Sequence, residues 1–323
     1  PGAHNCPVLD DAERARVGTI YKQRSPFEAR RIGAALVAKN VARHLETHFS
    51  ARGQDWKPLV YCWRGGKRSG SMVHVLREVG WDAVALAGGY QSYRRAVVAQ
   101  LEVLPARFDF RVICAPTGSG KTRMLEKLAA LGAQALDLER LAKHRGSVLG
   151  DLPGDAQPSQ RMFESLIWSA LRHFDAVRPI FVEAESKRIG ALRVPEALLA
   201  RMRASDCVRI DVPIVERVRF LIDEYRHFLA EPEWLKTRLS RLAPLHSHAT
   251  VAGWIALVDA GDWDNLVTDL LATHYDAAYL RSTRTNYPGM ADAPVLRAAC
   301  LSDAGLEISA RALLDPAICA SRA

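Results

Sequence analysis

A cysteine between a short apolar run and two glycines is the residue of this chain best suited to nucleophilic chemistry. Cys62 follows the apolar residues 59–61, which predict a buried strand, and a helix is predicted from about Ser69. Backbone N–H groups and the positive end of a helix lower the pKa of a thiol at such a position. We therefore predict a reactive Cys62. The predicted site also contains Arg64, Gly65, Gly66, Lys67 and Arg68.

The spacing Cys-x5-Arg in this loop is compatible with two chemistries. In sulfur-type transfer, Cys62 carries a persulfide or its selenium analogue. In phosphate-monoester hydrolysis, the same loop surrounds a phosphoryl group, and a general acid is needed as well. Asp55 and Asp82 are available by composition, but nothing in their sequence surroundings marks either one. An inert structural thiol fits Cys114 and Cys207 better than Cys62, because those two lie in apolar strands.

A second loop that could do chemistry follows a buried strand predicted over 110–114. Residues 115–122 read Ala-Pro-Thr-Gly-Ser-Gly-Lys-Thr, which is the P-loop pattern with Ala115 in place of the first glycine. Successive N–H groups of such a loop surround phosphate oxygens, Lys121 neutralises charge, and Thr122 reaches a metal. The loop recognises a polyphosphate, which need not be ATP. The predicted diphosphate-binding residues are Thr117, Gly118, Ser119, Gly120, Lys121 and Thr122.

Acidic residues follow two other predicted strands. Glu183 and Glu185 come after an apolar run that ends at residue 182, and Asp137 ends a strand predicted over 133–136. Together with Thr122, any of them could hold Mg²⁺ against a diphosphate, directly or through water. Glu183 is the first choice, and Asp137 and Glu185 are weaker candidates. A solvated strand end is the alternative for each.

A histidine pair, His246 and His248, raises the question of a zinc site. No cysteine, aspartate or third histidine lies at ligand spacing from the pair. We therefore predict a solvated turn at these two residues.

Strands alternate with helices in both halves of the chain, which predicts an α/β architecture with parallel sheets. Pro105 marks the expected boundary between a first domain, residues 1–104, and a second, residues 105–323. From residue 215 onward the pattern is mostly helical. In that region we expect three tryptophans to be packing residues: Trp234, Trp254 and Trp263.

Composition and charge narrow the class of protein. The chain has 323 residues, 49% of them hydrophobic and 25% charged, with a net charge of +8, which is compatible with a polyanionic partner. No apolar run approaches the ~20 residues of a membrane helix, so we expect no membrane segment. The six cysteines form no CxxC pair, which argues against a disulfide framework and for a reducing cytosol.

Taken together, these motifs resemble the bacterial tRNA 2-selenouridine synthases, in which a rhodanese-like domain precedes a phosphate-binding loop. The resemblance covers nearly the whole chain, but the first strand and the Asp-x-Arg segment of the rhodanese domain are absent. We expect the sequence to be a fragment or to have a misassigned start. The matching segments, besides the two loops, are residues 1–5, 17–22, 86–90, 138–147 and 182–190.

The resemblance implies a rhodanese-like parallel-sheet domain with its first strand missing, followed by a P-loop NTPase-like α/β domain with a helical C-terminal extension. It implies a transferase of the bacterial cytoplasm that converts 2-thiouridine at the tRNA wobble position to 2-selenouridine. The intermediate would be S-geranyl-2-thiouridine, made from geranyl diphosphate, and selenophosphate would then supply the selenium. The implied partners are the tRNAs for Lys, Glu and Gln that carry 2-thiouridine, and selenophosphate or its synthase.

The resemblance also implies residue roles. Cys62 would carry selenium as S-selanylcysteine, and Arg64, Lys67 and Arg68 would stabilise the anionic donor. The loop containing Lys121, with Mg²⁺, would stabilise the departing diphosphate. Two alternatives remain open at this point: a rhodanese-type sulfurtransferase or Cys-based phosphatase fused to an ATPase, and a non-catalytic module in which nucleotide binding regulates a degenerate rhodanese domain.

Overall fold

The computed structural model describes residues 2–146, 156–226 and 231–315. The chain divides into two compact units, residues 1–99 and 100–323. Residues 146–158 are rich in glycine, proline and aspartate and predict a loop; most of this loop, Ser147 of the segment 138–147, and Cys319 lie outside the described residues. No helix in the described part of the chain is both long enough and apolar enough to cross a membrane.

The first unit consists of helices around two short strands. The strands pair in parallel, with Leu59 opposite Val84, and the chain returns between them through one helix. The first helix has no fully buried residue, so its sequence lacks the apolar stripe by which a helix is predicted. The elements are α1 (Asp11–Gln23), α2 (Pro26–His44), a π-helical turn (Leu45–Phe49), β1 (Leu59–Val60), α3 (Lys67–Glu78), β2 (Val84–Ala85) and α4 (Gly89–Val103).

The core of the first unit lies between α2 and α3. Val41 of α2 and Leu76 of α3 are almost fully buried there, and Phe49 stacks on Trp56 with ring centroids 5.1 Å apart. The sequence Ser25-Pro26-Phe27-Glu28 predicts a helix start with Ser25 as its cap, and the structure confirms it, because the Ser25 hydroxyl accepts the backbone N–H of the third helical residue. This packing holds β1 and α3 in place on either side of Cys62.

The second unit contains a parallel sheet of five strands, which confirms the predicted α/β class. The strand order is β4-β5-β3-β8-β9. The apolar residues Val208, Ile210 and Val212 alternate along the sequence and predict the fourth of these strands, whereas β9 lies in the region expected to be helical, so that expectation is wrong there. The strands of the sheet are β3 (Phe110–Cys114), β4 (Gln134–Leu136), β5 (Ile180–Glu183), β8 (Asp206–Asp211) and β9 (Val295–Arg297), and a separate antiparallel pair is formed by β6 (Arg188–Ile189) and β7 (Leu192–Arg193).

Helices connect the strands and extend from the sheet. In the helices after β8, Trp254 is fully buried, and Trp234 and Trp263 pack against the same cluster, which confirms them as packing residues. The helices are α5 (Lys121–Ala130), α6 (Leu138–Ala142), α7 (Gln160–His173), α8 (Glu196–Arg203), α9 (Ile214–Glu224), α10 (Pro232–Ser240), α11 (His248–Ala260), α12 (Trp263–Leu270), α13 (Asp276–Asn286) and α14 (Asp303–Leu313), with 3₁₀ turns at Leu104–Arg107 and Pro288–Met290 and a π-helical turn at Leu271–Tyr275.

The topology places a switch point at β3. From β3 the chain proceeds to β4 and β5 on one side, and then crosses to β8 and β9 on the other. In open α/β sheets, ligands bind beyond the carboxyl ends of the strands at such a point. The loop that follows β3 is therefore expected at the binding site.

Candidate functional site

The Cys62 loop, residues 62–69, places its thiol at the start of a helix, as predicted. Cys62 follows β1 and is half-buried, and α3 begins after Gly66. The Ser69 hydroxyl lies 3.3 Å from Cys62 Sγ and 3.1 Å from the Gly66 carbonyl oxygen. A hydroxyl has one proton, so it can donate to the sulfur or to the carbonyl but not to both. When the thiol ionises, the sulfur becomes the stronger acceptor.

The pKa of Cys62 reflects two opposing effects. Burial of the thiol raises its pKa, whereas hydrogen bonds to the sulfur lower it, and the net result is a decrease to about 7. The Ser69 hydroxyl is the strongest of these donors, followed by the backbone N–H groups of Ser69, Arg64 and Gly66. Near neutral pH a large share of this thiol is therefore thiolate, the form that acts as a nucleophile.

Two glycine turns hold the Cys62 loop against the start of α4. A Cβ on Gly89 would lie 2.2 Å from the Cys62 carbonyl oxygen and 2.3 Å from the Gly65 nitrogen, and both glycines have positive φ. The N–H groups of Tyr90 and Gln91 donate to the carbonyls of Cys62 and the next residue, at 2.8 and 3.1 Å. Only glycine permits this approach of two backbones.

The three cationic side chains of the loop are all exposed. Arg68 lines a cavity of about 1080 Å³ together with Cys62 and Ser69, whereas Arg64 and Lys67 are not among the residues that line it. Asp82, one of the two possible phosphatase acids, instead faces Lys57 at 3.8 Å on an exposed surface. The neighbourhood of Cys62 is thus cationic and rich in N–H donors.

The P-loop, residues 115–122, lies between β3 and α5, at the switch point of the sheet. Gly118 and Gly120 both have positive φ, which lets the backbone turn around a phosphate-sized space. Lys121 Nζ donates to the Ala115 carbonyl at 2.8 Å and lies 5.7 Å from the centre of the Tyr279 ring. Ser119 is almost fully buried, and its hydroxyl has no partner among the described residues.

A buried arginine, Arg217, fixes the P-loop; as one of several helical arginines it was a possible contact to a tRNA backbone, but the residue is only 5% exposed. Arg217 of α9 donates through Nε to the Thr117 carbonyl at 2.9 Å. Its two Nη atoms donate to the Asp276 carboxylate at 2.6 and 3.0 Å. Arg217 thus joins the P-loop to α9 and α13. Two observations in the sequence, an arginine within an apolar helix and an aspartate at a helix start, were too common to reveal this contact.

Three carboxylates, which we call the acidic cluster, lie near the P-loop: Glu139, Glu183 and Glu185. One oxygen from each lies within 4.8 Å of the others. The Thr122 hydroxyl donates to Glu139 at 3.0 Å, and Glu183 accepts the Glu139 backbone N–H at 3.0 Å. Burial followed by mutual repulsion raises the pKa of Glu183 well above its usual value, and the same causes raise the pKa of Glu185 to about 8.

The acidic cluster includes two of the three predicted acids and one that was missed. Asp137 instead caps α6, where its carboxylate accepts the Arg140 backbone N–H at 2.7 Å. Glu139, two residues later, is the residue that meets Glu183 and Glu185. An acid in the first turn of a helix after a strand was the available signal for Glu139, but it also describes an ordinary helix start.

The acidic cluster fits a divalent cation. Carboxylate oxygens are the ligands that Mg²⁺ prefers, and a threonine hydroxyl from a P-loop joins them here. Glu183 Oε2 is buried without a partner among the described residues, which is costly unless a cation or a proton neutralises it. Thr122, Glu139, Glu183 and Glu185 are therefore the residues that could hold Mg²⁺.

Residues 117–122 of the P-loop and two members of the acidic cluster, Glu139 and Glu185, line one cleft of about 600 Å³, whereas Glu183 is fully buried. The cationic residues of this cleft include Lys121, Arg123 and Arg145. The Glu224 carboxylate forms ion pairs with both arginines, with N–O distances of 2.7 Å to Arg123 and 3.1 Å to Arg145. The cleft therefore combines phosphate-binding N–H groups, cations and a carboxylate cluster. This combination suits reactions in which a phosphate or diphosphate group leaves while a metal ion neutralises its negative charge.

The histidine pair behaves differently from the prediction at one of its two residues. His246 is half-buried and shares a 2.9 Å hydrogen bond with His274, while packing edge-on against Trp254. His246 lies in a turn, as predicted, but it is only partly solvated, because it packs against Trp254 and His274. His248 is exposed at the first residue of α11.

Comparisons with known proteins agree on one family. Residues 108–238 match the family model described as the tRNA 2-selenouridine synthase AAA domain. Among curated tRNA 2-selenouridine synthases, the one from Nitrosomonas europaea is 34% identical over 229 residues, which are 70% of this chain and 59% of the relative. The one from Aeromonas salmonicida is 37% identical over 239 residues, 73% of this chain and 62% of the relative. The one from Cupriavidus necator is 38% identical over 234 residues, which are 71% of this chain and 62% of the relative. The chain thus spans about three fifths of the length of these relatives.

Proposed function

We propose, from its similarity to the tRNA 2-selenouridine synthases, that the chain belongs to that family and converts 2-thiouridine at the tRNA wobble position to 2-selenouridine. The proposed route has two steps, S-geranylation and then selenation. The observation that carries the proposal is that one chain contains both a thiol whose pKa lies near 7 and a separate P-loop cleft with an acidic cluster. Each step has its own site.

The first step belongs to the P-loop cleft. The sulfur on C2 of the base forms a bond to C1 of geranyl diphosphate, and the C1–O bond breaks as diphosphate leaves with its electron pair. The proton on N3 is lost, and S-geranyl-2-thiouridine results. Lys121 exchanges its bond to the Ala115 carbonyl for a phosphate oxygen, and the N–H groups of residues 117–122 bind the others.

The acidic cluster would act on the leaving diphosphate through a bound cation. Mg²⁺, when bound there, would supply positive charge to the diphosphate oxygens. Glu183 and Glu185 carry raised pKa values, so they would gain from a cation that replaces their protons. Thr122 and Glu139 already share a hydrogen bond and hold the P-loop next to the carboxylates.

The second step belongs to Cys62. Selenium at the selenide level forms a bond to C2, the C2–S bond breaks, and geranylthiolate leaves with the electron pair and takes up a proton. Alkylation in the first step is what makes this sulfur able to leave. The N–H groups around Cys62, with Arg64, Lys67 and Arg68, stabilise the anionic selenium.

The carrier form proposed for Cys62 is S-selanylcysteine. This form is oxidised by two electrons relative to a thiol plus selenide. A thiol–disulfide couple therefore has to accept two electrons when selenium is loaded from selenophosphate, and to return them when selenium is released to the base. The net exchange of sulfur for selenium at C2 involves no change in oxidation state.

The proposed partners follow from the chemistry. The substrates are tRNAs for Lys, Glu and Gln that carry 2-thiouridine, and the small substrates are geranyl diphosphate and selenophosphate, the latter free or delivered by its synthase. The net charge of +8 suits a polyanionic substrate. The target base has to leave its stack to reach either site. We place this activity in the bacterial cytoplasm.

The family match supports this proposal over a sulfurtransferase or Cys-based phosphatase fused to an ATPase. To test it, 2-thiouridine-bearing tRNA is incubated with the chain and geranyl diphosphate, with and without selenophosphate, and the digested nucleosides are analysed by mass spectrometry. S-geranyl-2-thiouridine should form without selenophosphate, and Lys121→Ala should abolish it. Arg95→Ala, an exposed cation outside both sites, is the control. Undiminished geranylation by Lys121→Ala would contradict the assignment of the P-loop.

A further inference from the structure

The P-loop cleft has two chemically different sides. One side is polar and consists of residues 117–122, Glu139, Glu185 and the cations described above. The other side comes from α9, the residue that follows it, the turn 271–275 and α13, and its side chains are mainly aromatic or aliphatic, with the Arg145 guanidinium 4.6 Å from the centre of the Tyr225 ring. We call this side the apolar wall. It consists of Phe220, Leu221, Tyr225, Tyr275, Ala278 and Tyr279.

The apolar wall begins at the phosphate-binding residues themselves. A Cβ placed on Gly118 would lie 2.8 Å from Leu221, whereas one placed on Gly120 would first meet the core residues Leu301 and Leu306, at 3.3 Å. The Tyr279 ring lies 5.7 Å from Lys121 Nζ. Two residues of the wall, Leu221 and Tyr279, therefore lie next to the P-loop.

We propose that the apolar wall binds the hydrocarbon chain of the prenyl diphosphate and sets the chain length that the cleft accepts. This inference rests on the proposed function, since it assumes a prenyl diphosphate in the P-loop cleft. A ligand with an anionic head and an apolar tail matches both sides of the cleft at once. A nucleotide base would instead require several hydrogen-bonding groups along the wall, whereas the wall presents ring and methyl carbons with hydroxyls only at the tyrosines and at neighbouring Ser282 and Thr283.

Ala278 is the position that tests this inference. It is the smallest side chain of the wall and is half-buried, and its neighbour Ala277 is exposed and does not line the cleft. Ala278→Phe should fill space that the far end of a ten-carbon chain occupies. Ala277→Phe makes the same chemical change on the same helix, outside the cleft, and is the matched control.

The experiment measures dissociation constants by titration calorimetry on the full chain with Mg²⁺ present. The ligands are inorganic diphosphate and prenyl diphosphates of five, ten and fifteen carbons. Each buried methylene contributes about fourfold to affinity, so wild-type binding should strengthen strongly from diphosphate to the ten-carbon ligand. Ala278→Phe should raise the dissociation constant of the ten-carbon ligand more than about tenfold, and it should change the dissociation constant of inorganic diphosphate less than about twofold. Ala277→Phe should change neither.

Two failures are distinguishable. If the wild-type chain binds prenyl diphosphates no more tightly than inorganic diphosphate and yet makes S-geranyl-2-thiouridine, the wall assignment is overturned while the proposed function stands. Equal loss of diphosphate and ten-carbon binding in Ala278→Phe would also overturn the wall assignment. If the chain binds inorganic diphosphate but no prenyl diphosphate and makes no geranylated base, the proposed function itself fails.

Discussion

Removal of the Ser69 hydroxyl tests the electrostatic account of Cys62. Ser69 is almost fully buried, and its hydroxyl is the strongest of the donors that lower the pKa of Cys62 to about 7. Ser69→Ala removes that donor and leaves the backbone N–H groups in place. Hydrogen bonds to charged groups contribute about 1.5–3 kcal/mol. Because the thiol is only half-buried, we take the low end of this range, which corresponds to about a tenfold change in acidity.

Ser69→Ala should therefore raise the pKa of Cys62 to about 8. At pH 7 the thiolate fraction would fall from about one half to about one tenth, so alkylation by iodoacetamide should slow about fivefold. Rates are measured from pH 5 to 10, with the Cys62 peptide quantified by mass spectrometry. At pH 10 both proteins should react equally fast, because both thiols are then ionised.

Ser71→Ala is the matched control for Ser69→Ala. Ser71 lies on the same helix, but its hydroxyl donates to the Lys67 carbonyl at 2.8 Å and not to sulfur. The pH profile of this variant should match that of the wild type. An unchanged profile for Ser69→Ala in a folded protein would refute the hydrogen-bond explanation of the low pKa. Because folding lowers the pKa of Cys62, the ionised thiol stabilises the folded chain. This contribution to the free energy of unfolding is fully present above the ordinary thiol pKa of 9.0 and is lost as the pH falls through about 7.

Three further predictions concern stability and ligand binding. Gly89→Ala should destabilise the chain by at least about 2 kcal/mol in urea unfolding, because its Cβ would overlap two backbone atoms, whereas Gly70→Ala, in a helix with open space, should stabilise it by about 0.5–1 kcal/mol. Glu183→Gln should abolish the rise in unfolding temperature that MgCl₂ causes in the wild type, and an equal rise in both proteins would contradict the metal assignment. Arg217→Ala should lower diphosphate affinity at least about tenfold and destabilise the chain by about 3–5 kcal/mol, whereas exposed Arg219→Ala should do neither.

Local sequence signals predicted the two candidate functional loops. The Cys62 loop and the P-loop are each contiguous, and glycines, basic residues and flanking apolar runs mark both of them. The start of α2 was also predictable, because Ser25 and the proline after it specify a helix start within four residues. In each case the residues that decide the structure are neighbours in the chain.

Features that depend on distant residues could not be predicted in this way. Glu139 joins Glu183 only because β4 and β5 are adjacent in the sheet, and Arg217 reaches the Thr117 carbonyl across 100 positions of sequence. The strand β9 has three residues and follows a long helical region, so its apolar signal is too short to stand out. The order of the strands in the sheet brings these groups together, and the composition of the strands does not reveal that order.

The most direct test of the two-site account uses Cys62→Ser with 2-thiouridine-bearing tRNA, geranyl diphosphate and selenophosphate. Mass spectrometry of the digested nucleosides should show S-geranyl-2-thiouridine accumulating without 2-selenouridine, because the P-loop cleft is intact and the selenium carrier is lost. The wild-type chain under the same conditions should make 2-selenouridine. Formation of 2-selenouridine by Cys62→Ser at the wild-type rate would contradict the account.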